Sequence, residues 1–193
     1  MQSKFQMKEF VISLLKTKLP LNYYYHTYEH TLYVMEIAGE IAKNEHCTKH
    51  EMQLIEAAAL WHDVGYINIY TGHEEESCIL AQQYLPEYGY FSDDINIICG
   101  MIMATKIPQS PKNKLEEIIA DADLEYFGTS TVDVKAESLF QELQSLNALL
   151  SKDKWNQTQI SFLQKHHYFT RFAKENREPA KLLYLKKLID DIR

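Results

Sequence analysis

Imidazole and carboxylate side chains occur where the surrounding pattern predicts buried helices. His26 and His30 are four residues apart, which places them on one helix face. His62 and Asp63 follow the most apolar helical run of the chain, and Asp123 lies among further apolar residues. A buried, unpaired carboxylate is costly, whereas a divalent cation satisfies carboxylates and imidazoles together. We therefore predict that these distant segments meet around one metal ion.

Other potential ligands do not fit such a centre. His46 and His50 form a second pair with helical spacing, but the pattern around them predicts a solvated helix end. Cys47, Cys78 and Cys99 form no CxxC pair, and their number is odd. Free thiols in a reducing compartment are therefore predicted rather than a thiolate metal site.

Composition limits the possible partners. The chain has 20 Lys and Arg against 27 Asp and Glu, a formal net charge of −7. An acidic protein repels the phosphate backbone, so a nucleic-acid polymer is not an expected partner. A small phosphate ester stays compatible, because a bound cation reverses the local field. Neither a signal peptide nor an apolar stretch of membrane-spanning length is recognised, so a cytoplasmic protein without membrane contact is predicted.

The segments that must position these residues show helical periodicity almost throughout, which predicts an all-α fold. The run Leu54–Trp61 is apolar on nearly every face and is expected at the centre of the domain. Gly65 is expected to end it in a left-handed conformation. The predicted helices extend from about Phe5 to Pro20 and over about 27–45, 48–61, 71–85 and 93–104. A short helix is predicted from residue 112, and three more over about 131–150, 155–173 and 178–192.

Helix starts are predicted from capping residues. Thr48 with Glu51 and Thr71 with Glu74 both match the capping box, in which a hydroxyl and an acidic side chain satisfy the free amides of the first turn. Ser92 is predicted to cap the helix that starts at residue 93.

Four motifs in a fixed order give the chain a family resemblance. It resembles the HD superfamily of metal-dependent phosphohydrolases, with a motif core at about 22–128. The resemblance implies a single domain over 1–193, an HD-domain-like helical bundle with the additional C-terminal helices at about 131–192 packed on it. The motifs are Tyr25-His26-Thr27-Tyr28-Glu29-His30, His62-Asp63-Val64-Gly65, Gly72-His73-Glu74-Glu75-Glu76-Ser77 and Asp121-Ala122-Asp123-Leu124.

The resemblance also implies a ligand set. It carries the metal-binding roles over to His30, His62, Asp63 and Asp123, with Asp63 also orienting the reacting water. Asp121 is expected to orient a ligand or cap a helix instead. Two nitrogens and two carboxylates without thiolate suit one divalent metal of the group Mn, Co, Ni, Fe, Zn or Mg.

Further roles follow by the same resemblance, each with an alternative. His73 and Glu74 are expected to be catalytic, although acidic residues also favour a helix start. Lys106 is expected to bind a substrate phosphate, although a lysine also suits a helix C-terminus. His26 is expected to line the mouth of the site, touching substrate or holding His30.

The implied function is hydrolysis of a phosphate ester or phosphoanhydride of a small phosphorylated substrate, a nucleotide being one candidate. A non-catalytic metal-containing ligand sensor and a di-iron oxygenase stay open as alternatives. An intact ligand set argues against the sensor, and an oxygenase needs a larger set of His and Asp ligands. The oligomeric state is left open, with a homodimer among the alternatives.

Overall fold

The computed structural model describes residues 4–191, and side chains from residue 6 onward. The predicted apolar position Phe5 and the predicted helix end at 192 lie outside these described parts. Within them the chain forms ten α-helices and no strand, which confirms the all-α prediction. The helices are α1 Lys4–Lys18, α2 Tyr28–Asn44, α3 Lys49–Trp61, α4 His73–Tyr84, α5 Ser92–Ala104, α6 Lys114–Asp123, α7 Val132–Leu146, α8 Lys152–Lys165, α9 Arg171–Asn176 and α10 Glu178–Asp191. Short 3₁₀ turns lie at Val64–Ile67, Leu85–Tyr88 and Glu125–Gly128.

Helix α3 lies at the centre of the larger core, as its sequence predicts. From Leu54 to Trp61 every side chain except that of Glu56 is buried. The helix packs against α2, α5 and α6, which are the elements that carry or adjoin the predicted ligands. Burial of each large apolar side chain is worth about 1.5–3 kcal/mol, so this packing fixes the position where α3 ends.

A smaller apolar cluster joins the C-terminal helices to the rest of the chain. It is formed by α7, α8 and α10 around the 3₁₀ turn Glu125–Gly128. The carboxylate of Glu125 is buried and pairs with Tyr33 and Arg177, which links the turn to α2 and to the start of α10. No helix within residues 4–191 is both long and apolar enough to cross a membrane.

Two of the three predicted helix starts are wrong in detail. The capping box of Thr48 and Glu51 is confirmed, with both reciprocal hydrogen bonds present. The box predicted for Thr71 and Glu74 does not form. Gly72 precedes α4 with a φ of 84°, and this left-handed turn moves Thr71 out of the capping position. Ser92 is the first residue of α5 rather than its cap, and no side chain caps that helix.

Gly65 has a different structural role from the one predicted. It does not adopt a positive φ but lies within the 3₁₀ turn that follows α3. A Cβ atom at this position would lie 2.0 Å from the carbonyl oxygen of His73 and 2.8 Å from the amide nitrogen of Ser77. The residue is therefore needed for the close approach of this turn to the start of α4.

The predicted helix over 155–173 is interrupted. Helix α8 ends at Lys165, and α9 begins at Arg171 with Thr170 as its cap. The intervening backbone is held by tertiary hydrogen bonds. The Asp121 carboxylate accepts the amides of Phe169 and Thr170 at 2.9 and 2.8 Å. These bonds outweigh local helix propensity, and through them Asp121 holds the backbone just before α9, whose cap is Thr170. Helix α7 also ends earlier than predicted, at Leu146.

Candidate metal centre

Three sequence-distant segments bring four ionisable side chains to one point. His30 lies in the first turn of α2, His62 and Asp63 follow α3, and Asp123 ends α6. One ligand atom each from His30, His62 and Asp123 lies within 4.8 Å of the others. Asp63 joins them, because its Oδ2 lies 3.4 Å from His30 Nε2 and 3.2 Å from His62 Nε2. The four residues predicted as ligands therefore share a common centre.

Local hydrogen bonds aim the imidazoles at this centre. His62 Nδ1 donates to the carbonyl oxygen of Ala59 at 2.7 Å, which leaves Nε2 facing the carboxylates. His30 Nε2 lies 3.1 Å from Asp123 Oδ1. The Thr27 hydroxyl caps α2 by accepting the amide of His30 at 3.4 Å, so the start of the helix also fixes this ligand. Such outer hydrogen bonds orient ligating histidines in metal sites.

The chemistry of the donor set fits a divalent cation. His62 Nε2 and Asp63 Oδ2 are buried and make no hydrogen bond, although they lie 3.2 Å from each other. Buried polar atoms are rarely left unpaired, because each unmade bond costs free energy. The side chains offer two imidazole nitrogens and two carboxylates, a set that suits first-row divalent metals and Mg²⁺. The three cysteines of the chain are free and contribute nothing to this group.

The charges of the centre depend strongly on one another. Burial favours the neutral carboxyl of Asp123, but its hydrogen bond with His30 and the nearby His62 imidazole lower its pKa to about 2. Burial also opposes charge on His62, yet Asp63 and Asp123 raise the pKa of this imidazole well above its usual value. The two carboxylates thus demand a positive charge between them. A cation supplies that charge without requiring a proton on an imidazole.

His73, Glu74, Tyr66 and His26 lie beside the centre, on the side of Asp63. His73 Nε2 lies 3.5 Å from Asp63 Oδ1, and His73 Nδ1 lies 3.5 Å from Glu74 Oε2. The Tyr66 ring stacks on His73 with centroids 3.8 Å apart and also contacts the His26 ring at 4.3 Å, while the two imidazoles lie 6.3 Å from each other. Burial lowers the pKa of His73, but Asp63 outweighs it and raises the pKa above the usual value.

The centre opens into a cavity of about 520 Å³. Its walls hold the sequence-predicted site residues except His30 and His62, together with several tyrosines and leucines. Lys106 lies at the rim, exposed, and its ammonium group pairs with the Glu75 carboxylate. Glu74 is buried in the first turn of α4, so both interpretations offered for it stay compatible with its position. The predicted residues that line the cavity are His26, Asp63, His73, Glu74, Lys106 and Asp123.

Sequence reasoning missed several residues of this site. Glu142 on α7 is fully buried and accepts hydrogen bonds from His26 and Tyr70. In the sequence it is marked only by its spacing of three residues from Leu139, which places both residues on one helix face. In the structure Leu139 lines the cavity. Tyr66 directly follows the second motif, but nothing in its residue type indicated a contact with two imidazoles.

Comparisons with known proteins agree with this geometry. The HD domain family matches residues 27–125, just over half of the chain. The chain is similar to the structure of a predicted HD superfamily hydrolase from an uncultured Thermotogales bacterium, with 18% identity and a TM-score of 0.62 over 96% of this chain and 92% of that one. It is also similar to Bacillus subtilis YpgQ in complex with ADP, with 19% identity and a TM-score of 0.65 over 97% and 93%.

At these identities the two structures show a shared fold only, and no curated protein sequence matches the chain. The family match covers three of the four motifs in full and most of the first. It confirms the resemblance noted from the motifs. The chain belongs to the HD-domain family.

Proposed function

We propose that the protein is a metal-dependent phosphohydrolase that cleaves a phosphate ester or phosphoanhydride of a small molecule. One observation carries the proposal. The ligand atoms of His30, His62, Asp63 and Asp123 converge beside an open cavity that Asp63 and Asp123 line, and two of these atoms are buried without a hydrogen bond. We assign these four residues to a single divalent cation. Such a cation lowers the pKa of a bound water and polarises a phosphoryl oxygen.

The two carboxylate oxygens of Asp63 face different groups. Its Oδ2 lies among the imidazoles, whereas Oδ1 faces His73 at 3.5 Å. Oδ1 can therefore accept a hydrogen bond from a nucleophilic water on the cavity side and orient it. His73 adds a nitrogen donor beside the same carboxylate, and Glu74 offers a carboxylate 3.5 Å from His73 Nδ1 for proton exchange. These contacts support the catalytic roles of Asp63, His73 and Glu74.

Lys106 is the proposed phosphate ligand at the rim. An ammonium group binds phosphate as a compact point charge. In the structure this group pairs with Glu75, and both side chains are about half exposed, at 45% and 49%. An exposed ion pair is worth little, about 0–1 kcal/mol, so a phosphate dianion can displace the Glu75 carboxylate at low cost. His26 borders the same cavity and is the second proposed substrate contact.

The size and walls of the cavity favour a small substrate. A volume of about 520 Å³ lies within the range of small-molecule sites, about 300–1,000 Å³. Tyr66 and Tyr70 with Leu139 and Leu143 provide an aromatic and apolar wall that suits a nucleobase. The similar protein YpgQ has ADP bound, which supports a nucleotide as the first substrate to test. The net charge of −7 speaks against a nucleic-acid polymer.

The test is a release assay on metal-reconstituted protein. Purified chain is loaded separately with Mn²⁺, Co²⁺, Ni²⁺ and Mg²⁺ and incubated with nucleotides and phosphorylated metabolites, and phosphate and pyrophosphate are measured. We expect turnover that a chelator abolishes and that Asp63→Ala lacks. His46→Ala is the matched control, because this exposed histidine lies outside the centre. One metal bound per chain without turnover would favour a ligand sensor, and two irons per chain would favour an oxygenase.

A further inference from the structure

A carboxylate from the C-terminal helices reaches the mouth of the metal centre. Glu142 lies on α7, outside the residues that match the HD domain family, and its side chain is 0% exposed. Its Oε2 accepts the backbone amides of Tyr25 at 2.9 Å and of His26 at 3.0 Å. Its Oε1 contacts His26 Nδ1 and accepts the Tyr70 hydroxyl at 3.3 Å. All four donors come from residues at the cavity.

This set of contacts decides which nitrogen of His26 carries a proton. An ionised carboxylate has no hydrogen to donate, so a hydrogen bond between Glu142 and His26 Nδ1 requires a proton on Nδ1. Burial raises the pKa of Glu142, but the bonds from His26 and Tyr25 outweigh it and lower the pKa below its usual value. In neutral His26 the other nitrogen, Nε2, is then a hydrogen-bond acceptor.

The accepting nitrogen faces the hydroxyl of Tyr66. His26 Nε2 lies 3.2 Å from the Tyr66 hydroxyl, which can donate to it. The Tyr66 ring contacts both His26 and His73, with centroid distances of 4.3 and 3.8 Å, and the two imidazoles lie 6.3 Å apart. His73 in turn contacts Asp63 Oδ1. A continuous series of contacts therefore runs from Glu142 through His26 and Tyr66 to the side chains beside the metal centre.

We propose that Glu142 is a positioning residue of this site. It holds His26 with its proton on Nδ1, so that Nε2 accepts the Tyr66 hydroxyl and the Tyr66 ring stays stacked on His73 beside Asp63. The role deepens the proposed hydrolase function and rests on it for its catalytic consequence. It also explains why α7 packs against the mouth of the centre, since Glu142 is the residue by which this helix binds the segment Tyr25–His26.

Glu142→Gln tests the proposal with minimal change in shape. The glutamine oxygen can still accept the two backbone amides, which leaves the amide NH₂ facing His26 Nδ1. Because this group donates, His26 is expected to move its proton to Nε2 and lose its acceptor for the Tyr66 hydroxyl. Glu137→Gln is the matched control, since Glu137 is a carboxylate on the same helix whose side chain is 46% exposed.

The primary readout is independent of hydrolysis. Two-bond ¹H–¹⁵N correlation spectra of the full chain with the diamagnetic ion Zn²⁺ report which imidazole nitrogen is protonated, and His26→Ala assigns the signal. We expect a proton on Nδ1 of His26 in the wild type and in Glu137→Gln. In Glu142→Gln we expect the proton on Nε2. A wild-type His26 with an unprotonated Nδ1 would overturn the proposal, and this measurement needs no substrate and does not depend on the folding of Glu142→Gln.

Kinetics then separate positioning from general stabilisation. On a substrate from the release assay, Glu142→Gln is expected to lower kcat/KM by about 10–100-fold, as is usual for outer partners of a metal site. In the His26→Ala background the same substitution is expected to have almost no further effect, because Glu142 acts through His26. Additive losses in the double variant would overturn the proposal. Absence of any turnover would refute the hydrolase function, while the tautomer still decides the role of Glu142.

Discussion

Replacement of Gly65 by alanine perturbs the centre without touching a proposed ligand. Gly65 lies where the turn after α3 meets the first turn of α4. Its amide donates to Ser77 Oγ at 2.8 Å, and Ser77 Oγ donates to the carbonyl of His62 at 2.6 Å. A Cβ would lie 2.0 Å from the carbonyl oxygen of His73, and contacts below 3.0 Å essentially do not occur. The two segments must therefore separate by about 1 Å.

The size of the effect follows from this displacement. Forcing extra atoms into a packed interior costs about 1–3 kcal/mol, and each kcal/mol lowers the Tm of a chain of this size by about 2–4 °C. The separation moves His73 and Glu74 away from Asp63. Misplacement by about 1 Å can cost about 100-fold in rate. We expect Gly65→Ala to fold with a lower Tm, to bind metal, and to lose about 100-fold in kcat/KM.

The assay compares thermal unfolding, metal affinity and turnover with those of Gly39→Ala. Gly39 lies in α2, the helix that carries His30, and a Cβ there meets nothing within 4 Å. That control should be stabilised by about 0.5–1 kcal/mol, because alanine is the better helix residue. A Gly65→Ala protein with wild-type Tm and activity would refute the reasoning that this close approach positions the start of α4.

Two further perturbations test other parts of the account. Lys106→Ala is expected to raise KM for a phosphorylated substrate by about tenfold, an ordinary loss for one charge-assisted contact of about 1.5 kcal/mol. Glu75→Gln, which frees the same ammonium group, should lower KM, and unchanged values in both would remove Lys106 from the site. Burial and the neighbouring Lys181 lower the pKa of His166 to about 3. The unfolded chain, with a usual pKa of about 6.5, therefore takes up the proton first, and stability falls as the pH drops below about 6.5. Between pH 7.5 and pH 5 this costs about 2 kcal/mol. His166→Phe should lose that share of the acid sensitivity in urea unfolding, and an unchanged pH dependence would show that His166 is not responsible.

Features that rest on local pattern could be predicted from the sequence. The burial of α3 follows from its nearly continuous apolar run, and the start of α3 follows from the capping box of Thr48 and Glu51. The meeting of the ligands could be predicted because the order of the motifs along the chain resembles that of a known family. The fold of that family specifies how the segments pack. The sequence alone does not show that His30 and Asp123 lie close together in space.

Features that rest on contacts between distant segments could not be predicted. The helix expected over 155–173 is interrupted because the Asp121 carboxylate binds the backbone of Phe169 and Thr170. Gly65 was expected to supply a left-handed turn, but the constraint on it is the nearby carbonyl of His73. Glu142 lies 116 residues from His26, and no local pattern relates the two.

The central claim is that His30, His62, Asp63 and Asp123 hold one divalent cation. Its most direct test is anomalous diffraction at the zinc edge from crystals grown with Zn²⁺. The account predicts one anomalous peak per chain, about 2.0–2.2 Å from a nitrogen of each histidine and an oxygen of each aspartate. A peak bound by other residues, or no peak at these four side chains, would contradict it.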